Sequence, residues 1–239
     1  MKPLADAVIE LQNSEDKVYF TPARFEQTFL QWMYNIQDWC ISRQLWWGHQ
    51  IPAYFLPEGG FVVAQNIEEA LELAKIKTNN PNLTIDDLRQ DEDCLDTWFS
   101  SWLWPISLFD GINNPDNQEI KYYYPTVDLV TAPDIIFFWV ARMVMMGIYV
   151  MGDVPFHTVN FHGLIRDAKG QKMSKTKGNG TDPLTAVDKF GADALRYWLA
   201  TAPIGTDIRY SDDEVKRGSK LLTKLWNASK YTLMNLADF

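Results

Sequence analysis

A β-type run at Val127–Val130, an apolar run at Ile135–Val150 and a second β-type run at Thr158–Phe161 follow one another closely along the chain. This order constrains the fold more than any other feature. Two strands joined by a helical crossover pair in parallel, with the helix lying on the sheet. A further helix is expected from Asp182-Pro183, with Asp as N-cap and Pro at the first helical position. The reading is an α/β fold with parallel strands. The apolar run is shorter than the ~20 residues needed to span a bilayer and contains Arg142, so a buried helix is expected and no membrane association.

Weaker signals surround this centre. Thr21-Pro22 reads as an N-cap and first turn, opening a helix over 22–37 with Phe25, Phe29, Met33 and Ile36 on one face. A short strand is expected at Cys40–Ser42. A hairpin is expected from Ile51–Tyr54 and Phe61–Ala64 around Pro57-Glu58-Gly59-Gly60, then an amphipathic helix over 67–77. Residues 110–121 read as a solvated loop. After Pro203 a polar connector leads to a helix from about Asp212 to Leu236, with Val215, Leu221, Leu222, Leu225, Trp226 and Leu233 expected inward.

Composition decides three further points. The net charge of -9 argues against a non-specific nucleic-acid binder, which needs clustered Lys and Arg. Cys40 and Cys94 are far apart with no CxxC pairing, so neither a disulfide nor a metal site is expected, and the chain reads as cytoplasmic. Its first residues do not form a signal peptide. Six of the ten tryptophans group as Trp39, Trp46, Trp47 and then Trp98, Trp102, Trp104, an arrangement that predicts aromatic walls.

Residues 170–180 read Gly-Gln-Lys-Met-Ser-Lys-Thr-Lys-Gly-Asn-Gly. Lysine is a mobile point charge suited to phosphate oxygens, and glycines on both sides let such a loop move. On residue type alone a solvated basic loop explains the segment equally well. The order Lys172-Met173-Ser174-Lys175-Thr176, however, resembles the Lys-Met-Ser-Lys-Ser signature of class I aminoacyl-tRNA synthetases, with Thr176 in place of the last Ser. His162-Gly163-Leu164-Ile165-Arg166-Asp167 before it resembles the same family. So do Gly178-Asn179, Asp182-Pro183 and Gly191-Ala192-Asp193-Ala194-Leu195-Arg196 after it. In that family an amino-acid carboxylate attacks the α-phosphate of ATP, pyrophosphate leaves, and the aminoacyl group passes to tRNA. Charge gathers on the phosphates, so fixed cations and Mg2+ stabilise the transition state. The resemblance implies Lys175 as the candidate catalytic contact to the leaving phosphates, supported by Lys172. It also implies an ATP site formed with Met173, Ser174, Thr176, His162, Gly163, Leu164, Ile165 and Asp134.

Three other segments resemble the valyl branch. Asp38 to Pro52 does so throughout, whereas the isoleucyl branch has Gly-Thr-Pro-Ile-Pro where this chain has Gly48-His49-Gln50-Ile51-Pro52. Asp96-Thr97-Trp98-Phe99 resembles the segment whose Trp lines the amino-acid pocket, and Asp134 to Met143 is similar to the valyl sequence. Trp98, Ile135 and Trp139 are thus the candidate amino-acid site, Ile135 and Trp139 being four apart on one helix face. Phe137 and Val140 read as core. An apolar pocket of this kind discriminates poorly against an isostere bearing a hydroxyl, the standard instance being valine against threonine.

The resemblance implies that residues 1–202 are the C-terminal half of a Rossmann-like class I synthetase nucleotide-binding domain, with a small insertion at about 53–92. Residues 203–239 would be a connector and the first helix of an α-helical anticodon-binding domain. The family's second ATP signature, His-x-Gly-His, is absent, since the histidines are His49, His157 and His162. Thr131-Ala132-Pro133-Asp134 also departs from relatives that have a Gly near the ribose. The expected partners are valine, ATP with Mg2+, tRNA(Val) and the N-terminal half of the same enzyme. Self-association through an uncovered sheet edge is a further expectation. The main reading is a piece of a larger valine enzyme, inactive alone. A stand-alone synthetase-like binding module and isoleucyl identity remain the alternatives.

Overall fold

Three parallel strands, Tyr19–Thr21, Thr126–Thr131 and Phe156–Phe161, form the sheet that the middle of the sequence predicts. The structure is a computed structural model and describes residues 1–236. It divides into two units, one of Lys17–Leu30, Thr126–Ile136 and the chain from Phe156 onward, the other of Met1–Asp16, Gln31–Pro125 and Phe137–Pro155. It is an α/β fold with a helical C-terminal region.

In the sheet-bearing unit Phe156–Phe161 is the central strand, with Thr158 facing Tyr19 on one side and Asp128 on the other. Val159 and Phe161 are fully buried. Phe161 stacks on Phe20 at 6.2 Å and meets Phe25 at 4.6 Å, while Phe20 meets Phe29 at 5.0 Å. The buried rings of Phe20, Phe29 and Phe161 each contribute roughly 1.5–3 kcal/mol, and Phe25 is half-buried. The strand Thr126–Thr131 is less covered, for Val127 and Val130 are 71% and 67% exposed. Thr21 belongs to the first strand, paired with Asn160, so it cannot cap a helix. The helix accordingly begins at Arg24 and ends at Tyr34, and strand pairing overrides the local Thr-Pro signal.

Asp182 does cap its helix: its side chain accepts the Leu184 N–H, Pro183 takes the first position, and the helix runs Pro183–Phe190. Helices Ala192–Ala200 and Asp212–Asn235 join it around Ala194, Trp198 and Val215. Gly218 permits the contact, because a Cβ there would lie 2.8 Å from the Ala194 carbonyl oxygen. The inward face expected for the last helix holds only at its start. Val215 is buried, Leu221 and Leu222 are half-buried, and Leu225, Trp226 and Leu233 are exposed. The helix is 24 residues long and outruns the nine-residue helix it packs on.

In the other unit, helix Lys2–Gln12 packs on helix Ala141–Met151. A three-stranded antiparallel sheet of Ala53–Phe55, Phe61–Val63 and Arg89–Gln90 shares a core with helix Ile67–Thr78, built from Tyr54, Leu56, Val62, Ala70, Ala74 and Leu88. The short strand near Cys40 lies two residues later than expected, Ser42–Arg43, paired with Cys94–Leu95. Within the expected loop over 110–121, Asn117 accepts the Ile120 N–H and starts a helix, Gln118–Tyr123. An Asn in a polar stretch was a cap, not only a turn residue.

The segment Pro133–Met151 has 19 residues and the length and apolarity of a membrane span, longer than the sequence implied. Yet Val140, Ala141 and Met143 to Met146 are buried within the unit, and Arg142 is buried with them. It is not one regular helix. A 3-10 turn, Pro133–Ile135, passes into a π-helical turn, Ile136–Val140, before the α-helix begins at Ala141. The face shared by residues four apart in an α-helix therefore does not apply to Ile135 and Trp139, because the residues between them do not follow α-helical spacing.

Candidate functional site

The lysine loop lies at the end of the central strand. The His162 N–H donates to the Thr131 carbonyl at 3.0 Å, extending the sheet by one residue. Gly163 then passes so close to the chain at Thr206 that an added Cβ would lie 1.7 Å from the Thr206 carbonyl oxygen. The Leu164 N–H donates to Asp207 Oδ1 at 2.8 Å, and its carbonyl accepts the Ile208 N–H at 3.0 Å. With the Leu164 N–H engaged, a main-chain donor from this segment to a ligand must come from a neighbour. Ile165–Arg166 pairs in parallel with Ile208–Arg209, and Arg166 forms an ion pair with Asp207 at 2.5 Å. These bonds hold the Asp207 carboxyl below the usual carboxylate range, the Leu164 N–H first and Arg166 after it.

Residues Asp167–Gln171 make a tight turn that brings Lys172 back beside Arg166 in an antiparallel bridge. Asp167 is its base: Oδ1 accepts the N–H groups of Lys169 and Gln171, and Oδ2 accepts from Asn179 Nδ2 at 2.9 Å. The Asn179 amide, then the Gln171 N–H, hold the Asp167 carboxyl below its ordinary range. Asn179 also accepts the Ser174 N–H at 2.9 Å and donates to the Lys172 carbonyl at 3.2 Å. One side chain thus ties down the first and third residues of the signature, Lys172 and Ser174. Within it, Ser174 Oγ accepts the Lys177 N–H and the Lys175 carbonyl accepts the Gly178 N–H.

The lysines differ in what they face. Lys172 Nζ is paired with Asp134, the middle residue of the 3-10 turn Pro133–Ile135 after the edge strand. The Lys175 ammonium is exposed and has no partner among the described residues. Met173 and Ser174 are half-buried, while Thr176 and His162 are exposed. Beside this segment a cavity of about 530 Å³ is lined by Val130, Phe161, Gly163, Leu164, Leu199 and Pro203, among others. Among the described residues no group of three or more His, Cys, Asp or Glu side chains is placed to hold a metal ion.

The aromatic candidates lie in the other unit. Asp96 accepts the Trp98 N–H at 2.7 Å and caps the short helix Thr97–Ser101. Trp98 meets Trp139 at 6.4 Å and Phe138 at 5.9 Å. Ile135 is half-buried and ends the 3-10 turn in the sheet-bearing unit. Val140 is core, as expected, and Phe137 stacks on Trp32 at 4.5 Å. Trp39 and Trp102 also belong to an aromatic cluster, with Phe99 between them. The expectation of aromatic walls fails at Trp46 and Trp47, which are 100% and 88% exposed on a loop, and at Trp104, which is also exposed.

Several residues that organise the site escaped the sequence reading. Asp167 and Asn179 belong to the segments that resemble the family, yet the sequence assigns neither of them a part in fastening the loop. Asp207 lies 43 positions from its partner Leu164, so no local pattern could reveal it.

Residues 1–211 match the family model described as tRNA synthetases class I (I, L, M and V). A valine–tRNA ligase of Bacteroides fragilis is 60% identical over 229 residues, covering 95% of this chain and 26% of that protein. One from Bacillus licheniformis is 52% identical over 239 residues, 99% of this chain and 25% of that protein. The chain thus spans about a quarter of the length of these relatives. Among solved structures, a LeuRS–tRNA–LeuAMS ternary complex from Agrobacterium radiobacter K84 aligns with TM-score 0.66 at 22% identity, over 90% of this chain and 32% of that one. Mycobacterium tuberculosis methionyl-tRNA synthetase with methionyl-adenylate aligns with TM-score 0.64 at 19% identity, over 90% and 35%. Both share the fold.

Proposed function

Because the chain belongs to the class I tRNA synthetase family of the I, L, M and V enzymes, we propose that it works as part of a valine–tRNA ligase, activating valine with ATP and passing it to tRNA(Val). The observation that carries this reading is the Lys172–Thr176 loop, fastened at Lys172 and Ser174 by Asn179 yet presenting Lys175 with no counter-charge. A fastened loop that presents an unpaired cation suits the negative charge that builds on a leaving pyrophosphate, where preorganised charge acts most strongly. Lys172, now held by Asp134, is the second cation and would exchange that carboxylate for phosphate oxygens. The segment His162–Ile165 and Met173 would lie along the adenine. Mg2+ would be carried by the ATP phosphates, since bound Mg2+ commonly keeps waters and uses few protein ligands.

Valine is the proposed amino acid because Trp98 and Trp139, which meet at 6.4 Å, offer indole surface and no charge, which suits a small branched side chain. Identity to valine–tRNA ligases at 52–60% supports the same choice. The 239 residues carry no His-x-Gly-His, so by themselves they are proposed not to form the adenylate. Both cysteines are free, which suits a reducing compartment, and we place the protein in the cytoplasm.

ATP–pyrophosphate exchange by the full-length protein tests the reading. Exchange that requires valine and is not supported by isoleucine is the expected result. Exchange driven better by isoleucine would transfer the assignment to that branch. No amino-acid-dependent exchange at all would favour a binding module.

A further inference from the structure

Arg142 is 4% exposed in the middle of the most apolar segment of the chain. Its guanidinium carbon lies 3.4 Å from the Trp39 ring centre, 5.4 Å from Phe137 and 5.7 Å from Phe138. Nη1 is buried with no hydrogen-bond partner among the described residues. Taking a cation out of water is costly, and π faces return only part of the loss. An apolar side chain of similar volume would fill the same space at no such cost. The charge is therefore a poor device for stability, and its position needs another reason.

The neighbours supply one. Phe138 links the cation to Trp98, which meets Trp139. Trp39 links it to Phe99 and Trp102, and Phe137 links it to Trp32. The buried carboxylate of Asp96 holds the Trp98 N–H and the guanidinium of Arg43. Burial lowers the Arg142 pKa, the Asp96 charge works against that shift, and Arg43 adds to it.

We propose that Arg142 is a positioning residue of the amino-acid site, holding Trp39, Phe137 and Phe138 in one arrangement and so fixing the wall that Trp98 and Trp139 form. The π faces meet one planar cation, and each ring is oriented by it. Without the cation the rings repack against one another and the pocket loses its fixed width. Selectivity for valine over isoleucine, a difference of one methylene, is the property most sensitive to that width. The inference rests on the valine reading above.

Arg142→Met and Arg142→Lys in the full-length protein test it, by valine- and isoleucine-dependent ATP–pyrophosphate exchange with thermal unfolding alongside. For Arg142→Met the expected result is about a tenfold rise in KM for valine and about a tenfold loss of valine-over-isoleucine preference. KM for ATP and Tm should stay near their original values. Arg142→Lys, which keeps the charge without the planar stack, should recover part of the preference. Unchanged KM for valine and unchanged preference in Arg142→Met would overturn the proposal. So would equal losses in KM for valine, KM for ATP and Tm that Lys does not relieve, since these mark a structural role. Absence of valine-dependent exchange in the unsubstituted protein would sink the function reading, and this inference with it. Normal exchange there with an unaltered Arg142→Met would sink this inference alone.

Discussion

Gly163→Ala should unfasten the segment that leads into the lysine loop. The new Cβ would lie 1.7 Å from the Thr206 carbonyl oxygen and 2.3 Å from its carbon. An ordinary C···O contact is roughly 3.3 Å, so one strand must retreat by about 1.6 Å. The bonds from the Leu164 N–H to Asp207 and from the Ile208 N–H to the Leu164 carbonyl, at 2.8 Å and 3.0 Å, cannot survive that movement. One is neutral and one is assisted by charge at an exposed site, so together their loss costs roughly 2–4 kcal/mol. At about 1.4 kcal/mol per tenfold, the amides of Leu164 and Ile208 should exchange with solvent on the order of 100-fold faster. Site-resolved hydrogen exchange measures this directly. Gly180→Ala is the control, because a Cβ there meets nothing within 4 Å. If Gly163→Ala protects Leu164 and Ile208 as well as Gly180→Ala does, the close approach is not what requires glycine and the reasoning fails. In exchange kinetics Gly163→Ala should raise KM for ATP while leaving KM for valine nearly unchanged.

Other perturbations follow from the same geometry. Lys175→Ala should lower kcat for valine-dependent exchange by roughly 100- to 1000-fold with little change in KM for valine, and equal losses in both would contradict its contact with leaving phosphate. Asn179→Ala releases Asp167, whose carboxyl is held below its ordinary range mainly by that amide. A depressed native pKa contributes stability at neutral pH that disappears as pH falls through it, so Tm of the variant should lie below the original near pH 7 and converge with it in acid. Gly218→Ala forces helices Ala192–Ala200 and Asp212–Asn235 apart at the Ala194 carbonyl and should destabilise by about 1–3 kcal/mol in denaturant melts.

What the sequence disclosed was whatever is written locally. The parallel sheet was legible because strand, helix and strand follow within 36 residues, Thr126–Phe161. The cap at Asp182 was legible because the acceptor sits two residues from its N–H. The lysine signature was legible because its chemistry is contiguous. Where a local preference met a tertiary demand, the reading failed. Thr21 looked like a cap but pairs with Asn160, and Leu225, Trp226 and Leu233 follow helical periodicity on a helix that has no cover there. The π-helical turn at Ile136–Val140 leaves no trace in hydrophobic spacing, so Ile135 and Trp139 were given a common α-helical face. Trp46 and Trp47 show the same limit, since composition names an aromatic residue without saying what it touches. The fastening of the site, Asp167 with Asn179 and Asp207 with Leu164, depends on partners 12 and 43 residues apart.

The tie made by Asn179 also gives the loop a chemical lifetime. Asn179 is followed by Gly180, whose bare main-chain nitrogen is the least hindered group that can attack a neighbouring side-chain amide. Ring closure expels ammonia, and water then opens the ring at either carbonyl, leaving an aspartate or, with the main chain rerouted through the side chain, an isoaspartate, each with a new carboxylate. That carboxylate could no longer donate to Asp167 at 2.9 Å and would instead repel it. A stored preparation should therefore drift by one negative charge and lose activity at this position without unfolding. Ageing of the protein would be read in its mass and charge before it is read in its fold.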